Sequence, residues 1–201
     1  IIGDAKLVLR QLVDEVKKQI GPNGRKGDDA VAKEVKAVKD EWLKEWLPKL
    51  TSNETPINPY RIIGDLKQTL DPKETIITHD SGGPRDQLLP FWETVNPGGY
   101  IGWGKSTTLG GSLGFAMGAK LARPEKTCVS FLGNAAFGMV GMDFETAVRE
   151  RIPILVVLMN NSLLGGYHRS HPVASKVYNL NVQSGEYAKV AEALGGYGEK
   201  V

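Results

Sequence analysis

Thr127-Cys128-Val129-Ser130-Phe131-Leu132-Gly133-Asn134-Ala135-Ala136-Phe137-Gly138, taken with Ile154-Leu155-Val156-Val157-Leu158-Met159-Asn160-Asn161 further on, decides the fold class. Each stretch begins as a short apolar run and releases into glycine or asparagine. Such runs read as strands buried on both faces, and Met142 to Arg151 between them reads as a helix. The alternation continues upstream. A helix from about Gly110 to Ala122 precedes the first run, and before it come the turn Ser81-Gly82-Gly83-Pro84, a strand from Thr75 to Thr78 and a helix from about Pro59 to Leu70. Strands separated by helices imply an α/β fold, a doubly wound parallel sheet with helices on both faces.

The first fifty residues have another texture. Residues 4–19 place Ala5, Leu7, Val8, Leu12, Val13 and Val16 roughly on one helical face, with Asp4 as N-cap, and Gly21-Pro22-Asn23-Gly24 ends the helix. Asp28 to Lys49 follow as a Lys/Glu-rich helix carrying Trp42, Leu43, Trp46 and Leu47 in one narrow stripe, expected to be a linker helix lying against a core.

Composition excludes several classes. With 201 residues, 41% hydrophobic and 24% charged, the chain can bury a core. Its 25 basic and 23 acidic residues leave a net charge of +2, too balanced for a nucleic-acid footprint. No stretch reaches the roughly 18 to 20 apolar residues that span a bilayer, and no signal peptide opens the chain, so no membrane partner and a cytoplasmic location are expected. Cys128, inside an apolar run, is expected to be a buried, inert thiol. The chain opens without an initiator Met and stops at Glu199-Lys200-Val201 before any clear terminating element, which suggests an excerpt of a longer polypeptide.

In open parallel sheets, ligands bind where the carboxyl ends of strands release the chain into loops. Two exits stand out, Gly133 to Gly138 and Asn160-Asn161-Ser162-Leu163. Twenty-seven positions separate Asn134 from Asn161, enough for one strand-helix-strand unit. Both side chains can then sit at one edge of neighbouring strands, which suits a metal-bridged diphosphate.

The segment from Gly133 to Asn161 resembles the motif of thiamine-diphosphate-dependent enzymes, a Gly-Asp-Gly-type turn, a helix and an Asn-Asn pair. Phe137-Gly138-Met139, Gly141-Met142, Glu145-Thr146-Ala147-Val148-Arg149 and Ile152-Pro153-Ile154 are similar to acetolactate synthases and related 2-oxo-acid decarboxylases. Upstream, Gly118-Ala119-Lys120-Leu121-Ala122-Arg123-Pro124 resembles the family's helix before the metal strand. Downstream, Tyr187-Ala188 and Ala191 to Gly196 resemble the helix after the cofactor site. The resemblance implies the thiamine-diphosphate-binding fold over residues 56–201, a linker with a charged helix over 21–55, and the tail of a preceding middle domain over 1–20.

It also implies a site. Asn134 and Asn161 side-chain oxygens and the Leu163 carbonyl would bind Mg²⁺, while Gly133 and the amides of Ala135 and Ala136 would meet the diphosphate of thiamine diphosphate. Ser81, Gly82 and Gly83 match a turn that also touches the diphosphate, and Leu109 falls where the family places a bulky residue beneath the bent cofactor. Tyr167 and His168 lie where relatives keep substrate-facing groups, although an ordinary loop is the simpler reading. The catalytic glutamate of the family sits on a separate pyrimidine-binding domain, and nothing in these residues resembles it. The expected partners are therefore a 2-oxo acid and that domain, from the same longer chain or another subunit of a homo-oligomer, a dimer or tetramer. Carboligation of the acetolactate synthase type is expected first and decarboxylation second.

Two departures matter. Asn134 stands where the family usually offers Asp, which removes one negative charge from the ion. The alternative is accordingly a non-catalytic module that keeps the fold around a weakened metal site. Pro84 stands where acetolactate synthases usually have a polar group, and neighbouring Arg85 reads as solvent-exposed. Gly99-Tyr100-Ile101-Gly102-Trp103-Gly104-Lys105-Ser106 also fits the G-x-x-x-x-G-K-[ST] pattern, but no apolar strand precedes it, so nucleotide binding is not expected. His79, His168 and His171 show no zinc-type spacing, and His79 reads as structural support beside the phosphate turn.

Overall fold

The computed structural model describes residues 2–24, 27, 29–104, 106, 108–179 and 183–201, and of His168 only the backbone. It divides into two compact units, residues 1–47 and 48–201. In the first unit, α1 (Ala5–Ile20) starts where Asp4 accepts a hydrogen bond from the Leu7 amide at 3.0 Å. None of its residues is buried, and Leu7, Leu12, Val13 and Val16 form an exposed apolar face. α2 is Ala30–Leu50, and the expected helix start at Asp28 lies outside the described residues. Trp42 and Trp46, one helical turn apart, bring their ring centroids to 5.9 Å.

The second unit is an α/β layer. Asn58 caps α3 (Pro59–Thr69), Pro59 opens it, and it leads to β1 (Thr75–His79). After β1 the chain does not simply turn, as expected for Ser81 to Pro84, but enters a short helix, α4 (Gly83–Leu88). Pro84 causes this, since its fixed φ suits a first helical turn and its missing N–H costs nothing there. β2 (Tyr100–Ile101), α5 (Gly111–Ala122), β3 (Thr127–Gly133), α6 (Asn134–Val140), α7 (Asp143–Arg149) and β4 (Leu155–Met159) follow. Beyond them come α8 (Tyr167–Ser170), α9 (Pro172–Tyr178) and α10 (Tyr187–Ala193). Gly133 to Gly138, read above as a loop, thus turns into helix at Asn134. Tyr167 and His168 open a helix rather than lie in a loop.

The described strands form a parallel sheet in the order β2-β1-β3-β4. Its faces alternate along β3. Cys128 joins Ile76 and Ala119 in one buried cluster, and Leu132 on the same face joins Ala136 and Phe137 in another. Val129 and Phe131 point the other way and are each 0% exposed. Helices therefore cover both sides, as near-continuous apolar strands require. Tyr187 of α10 closes the second cluster, its ring edge-on to Phe137 at 5.6 Å.

The order matters for function. From β1 the chain leaves toward β2 on one side, whereas from β3 it leaves toward β4 on the other. Adjacent β1 and β3 thus flank a switch point, where two exits diverge and leave a crevice. The Gly133↔Met159 pairing brings the end of β4 level with the end of β3.

Candidate functional site

Four segments meet at the carboxyl ends of the strands, beginning with the exit of β1. Asp80 is 0% exposed, and its carboxylate accepts hydrogen bonds from the Gly111 amide at 2.9 Å, the Ser112 amide at 3.4 Å and the Ser112 hydroxyl at 2.7 Å. The Ser112 hydroxyl also meets that of Ser130 at 2.9 Å, and Thr78 Oγ1 donates to the Ser112 carbonyl at 2.7 Å. Gly110, the residue before α5, has no side chain to cap the helix, so Asp80 satisfies its first amides from another strand. This fixes Leu109, which packs against Leu132, Ala136 and Phe137. Gly110 has φ +91°, and a methyl group there would lie 2.7 Å from Val140 Cγ1, so both conformation and space demand glycine.

Ser81 donates to the Ser106 carbonyl at 2.8 Å. Arg85 is not the exposed side chain expected. Only 22% of it is open, its Nε donates to Asp86 at 2.9 Å, and its Nη1 donates to the Gly104 and Ser106 carbonyls at 3.3 and 3.5 Å. The Gly82-Gly83-Pro84 turn lies beside the exit of β3, since a methyl group on Gly133 would sit 3.5 Å from Pro84 Cγ. In the stretch that matched the nucleotide pattern, Tyr100-Ile101 pairs with β1 as a strand and Lys105 lies outside the described residues. A nucleotide loop opens directly into a helix, and the described residues Ser106, Thr108 and Leu109 are not helical.

His79 ends β1 buried, its ring 5.0 Å from that of Tyr100. A methyl group on Gly102 would fall 1.9 Å from His79 Nε2, so the ring occupies the space glycine leaves. Burial pulls the imidazole below its ordinary pKa of 6.5, assisted by the Arg85 charge and opposed by the Asp80 carbonyl and the charges of Asp80 and Asp86. With the folded pKa depressed, the contribution is whole above 6.5 and is lost as pH falls below it. Thermal melts should therefore show stability falling from about pH 7 to about pH 5, with part of the fall absent in His79→Phe. Identical pH profiles would refute the assignment.

At the third and fourth segments Asn134 meets the loop that carries Asn160 and Asn161. Asn134, 3% exposed, donates from Nδ2 to Gln183 Oε1 at 2.7 Å and to the Leu163 carbonyl at 3.4 Å. Asn160 and Asn161 Oδ1 accept from the Ser162 and Leu163 amides, each at 3.0 Å, and Ser162 takes the left-handed φ of +57°. These consecutive asparagine turns curl the loop so that the Leu163 carbonyl faces Asn134. Asn134 and Leu163 are therefore brought together. Asn161 shares the loop, its Oδ1 holding a turn while retaining a second lone pair.

Tyr167 is 45% exposed, with its ring 5.8 Å from that of His171, and meets none of these groups among the described contacts. The side chain of His168 lies outside the described residues. Gln183 was not foreseen, because it sits in a segment with no hydrophobic period. Its amide donates to the Ser162 carbonyl at 2.8 Å, which ties it to the loop. An apolar hollow of about 420 Å³ between α7 and the start of β4, lined by Phe144, Val148 and Ile152, is not shared by any candidate ligand.

Chemically, the assembled donors are neutral oxygens. Among the described residues no three His, Cys, Asp or Glu side chains cluster as a metal site. A carbonyl and two amide oxygens suit a hard cation that brings its own anionic oxygens, and they do not suit a soft metal. Oxygens of this type are the kind that a magnesium ion bound with a diphosphate takes. Cys128 is 1% exposed, and burial raises its thiol pKa, so it takes no part.

The family model for the "Thiamine pyrophosphate enzyme, C-terminal TPP binding domain" matches residues 80–201. The chain is 25% identical over 209 residues to a "Probable acetolactate synthase large subunit" of Methanococcus aeolicus, covering 97% of this chain and 34% of that protein. It is 30% identical over 158 residues to "Acetolactate synthase large subunit IlvG" of Mycobacterium tuberculosis, covering 76% and 28%. To "2-hydroxyacyl-CoA lyase" of Saccharomyces cerevisiae it is 30% identical over 168 residues, covering 84% and 29%. The chain thus spans about a third of the length of these relatives.

Proposed function

The chain belongs to the family of C-terminal TPP-binding domains of thiamine pyrophosphate enzymes, and we propose on that footing that its switch point holds the diphosphate of the cofactor through Mg²⁺, within an enzyme acting on 2-oxo acids. The observation that supports this most is that the Asn134 side chain reaches the Leu163 carbonyl, Nδ2 donating at 3.4 Å, across two strands paired at Gly133↔Met159. Asn134, Asn161 and Leu163 would supply the protein's oxygens to the ion. Gly133, Ala135 and Ala136 would let the diphosphate approach the backbone, with Ser81, Gly82 and Gly83 on its other side. Leu109, held by the Asp80 cap, would support the cofactor from below.

When bound, thiamine diphosphate supplies the nucleophilic carbon and the electron sink. This chain's own residues bind and orient; no proton-transferring group is assigned among them. The glutamate that activates the cofactor would come from another domain of a longer chain or from a second subunit, in a homo-oligomer. In that reading residues 1–20 end a middle domain, 21–55 link, and 56–201 form the cofactor domain. We place the protein in the cytoplasm; none of the described helices is long and apolar enough to cross a membrane. Acetolactate synthase-like carboligation is the favoured reaction. Cleavage of a 2-hydroxyacyl group is a second reading, favoured by the similarity to the yeast lyase.

Calorimetric titration with thiamine diphosphate, with and without MgCl₂, tests the proposal. Binding should require Mg²⁺, and Asn134→Asp should tighten it roughly tenfold, because ligand charge tunes affinity for hard cations. Metal-independent binding, or none in either protein, would leave the non-catalytic module as the better reading.

A further inference from the structure

We propose that the side-chain amide of Asn134 is a built-in clasp for the loop from Asn160 to Leu163, closing it onto the exit of β3 by hydrogen bonds and so competing with a divalent cation for the Leu163 carbonyl. The NH₂ end of Asn134 is the one that faces the loop. Nδ2 donates to Gln183 Oε1 at 2.7 Å and to the Leu163 carbonyl at 3.4 Å. An NH₂ group carries two hydrogens, so each oxygen can take one of them. Asn134 is 3% exposed, which leaves water little room to replace it as donor. Both acceptors belong to one piece of structure. The Gln183 amide donates to the Ser162 carbonyl at 2.8 Å, and the Ser162 and Leu163 amides donate to Asn160 and Asn161 Oδ1, each at 3.0 Å. Asn134, the first residue of α6, follows directly on β3. One side chain thus joins the end of β3, the loop after β4 and the segment at Gln183.

For the competing ion, and only for it, this rests on the metal reading above. An ion shared by residue 134 and Leu163 needs the Leu163 carbonyl and an oxygen of residue 134. Hydrogens of the amide stand between those two groups, so Asn134 has to turn over and give up both bonds before its oxygen can serve. An aspartate behaves in the opposite way, because an ionised carboxylate only accepts. Gln183 could turn its own NH₂ toward a carboxylate, but the Leu163 carbonyl has no hydrogen to offer. Two acceptors would then face each other, and the loop would close there only once a cation came between them. Asparagine therefore separates closure of the loop from the ion, whereas aspartate would couple the two.

Hydrogen–deuterium exchange on the full chain tests this, read by mass spectrometry on peptides covering Ser162, Leu163 and Gln183. In EDTA and without cofactor the wild type should exchange slowly there. Asn134→Asp and Asn134→Leu should each exchange about tenfold faster, since one or two net hydrogen bonds hold the loop shut. Peptides from β1 and β3 should keep the wild-type rate, which separates a loosened loop from a loosened fold. Thiamine diphosphate with MgCl₂ should then slow Asn134→Asp by a larger factor than the wild type, and should leave Asn134→Leu the fastest of the three. A wild-type loop that exchanges freely in EDTA, or equal rates in all three proteins there, overturns the proposal whatever the cofactor does. Equal slowing of the wild type and Asn134→Asp by the ion and cofactor overturns the competition. No slowing in either, together with no calorimetric binding, would overturn the metal reading, while the clasp is still decided by the rates in EDTA. Should Asn134→Asp fail to fold, Asn134→Leu makes the same comparison without the added charge.

Discussion

Asp80→Ala is expected to lower the unfolding free energy by about 3–4 kcal/mol, a large share of the total stability of an ordinary domain. The carboxylate is 0% exposed and accepts from two backbone amides and one hydroxyl. Truncation leaves the Gly111 and Ser112 amides buried at the start of α5 without their acceptor, and each such orphan costs about 1–3 kcal/mol. Removing the anion recovers its desolvation cost, and the loss of three charge-assisted hydrogen bonds together with two stranded amides is expected to outweigh that gain. Asp80→Asn separates charge from shape. Its oxygen can still accept from Gly111, and its NH₂ can donate to the Ser112 hydroxyl, so a smaller loss of about 1–2 kcal/mol is expected. Urea denaturation of the two variants provides the check. A loss below about 1 kcal/mol for Asp80→Ala would mean that the cap is not what holds α5 to β1.

Phe131→Ala is expected to cost about 3–5 kcal/mol. Phe131 is 0% exposed on β3, with β1 and β4 hydrogen-bonded on either side, and pairs with His79 and Val157. Removing the ring deletes the apolar contacts of one strand face and leaves a cavity that two rigid neighbouring strands cannot close. Phe131→Leu, which refills much of the volume, should recover most of the loss, leaving under about 1.5 kcal/mol. The midpoint and slope of denaturation distinguish a cavity from a disturbed register. A lower midpoint with an unchanged slope is expected, and a changed slope would mean that the sheet itself reorganises.

Such costs concentrate in β1 and β3, the elements most legible from the residues alone. Ile76, Ile77, Cys128, Val129 and Leu132 belong to runs too short for a long helix and too apolar for a half-exposed strand, so they read directly as the middle of a parallel sheet. The Asn134-to-Asn161 spacing was readable for a similar reason, since one strand-helix-strand unit has a nearly constant length. Tyr100-Ile101 was not readable as a strand, because a two-residue edge carries no period. α6 was read as loop because Gly138 and Gly141 interrupt it. Asp80 and Gln183 escaped notice for a deeper reason. Their partners lie 31 and 49 residues away, and no local pattern marks a side chain whose acceptor or donor arrives only after the chain has crossed the sheet.

By itself the sequence determined the central strands and the longer helices, that the sheet is parallel, and which two asparagines lie one crossover unit apart. Those properties follow from side-chain hydrophobicity and turn chemistry acting over a few neighbouring residues. Only the tertiary structure decided the strand order β2-β1-β3-β4 and hence the switch point between β1 and β3. It also decided that Asp80 would cap a helix it does not belong to, and that Gln183 would meet Asn134. Those outcomes depend on groups distant in the chain meeting at hydrogen-bond distance, and that is settled by how the layers pack.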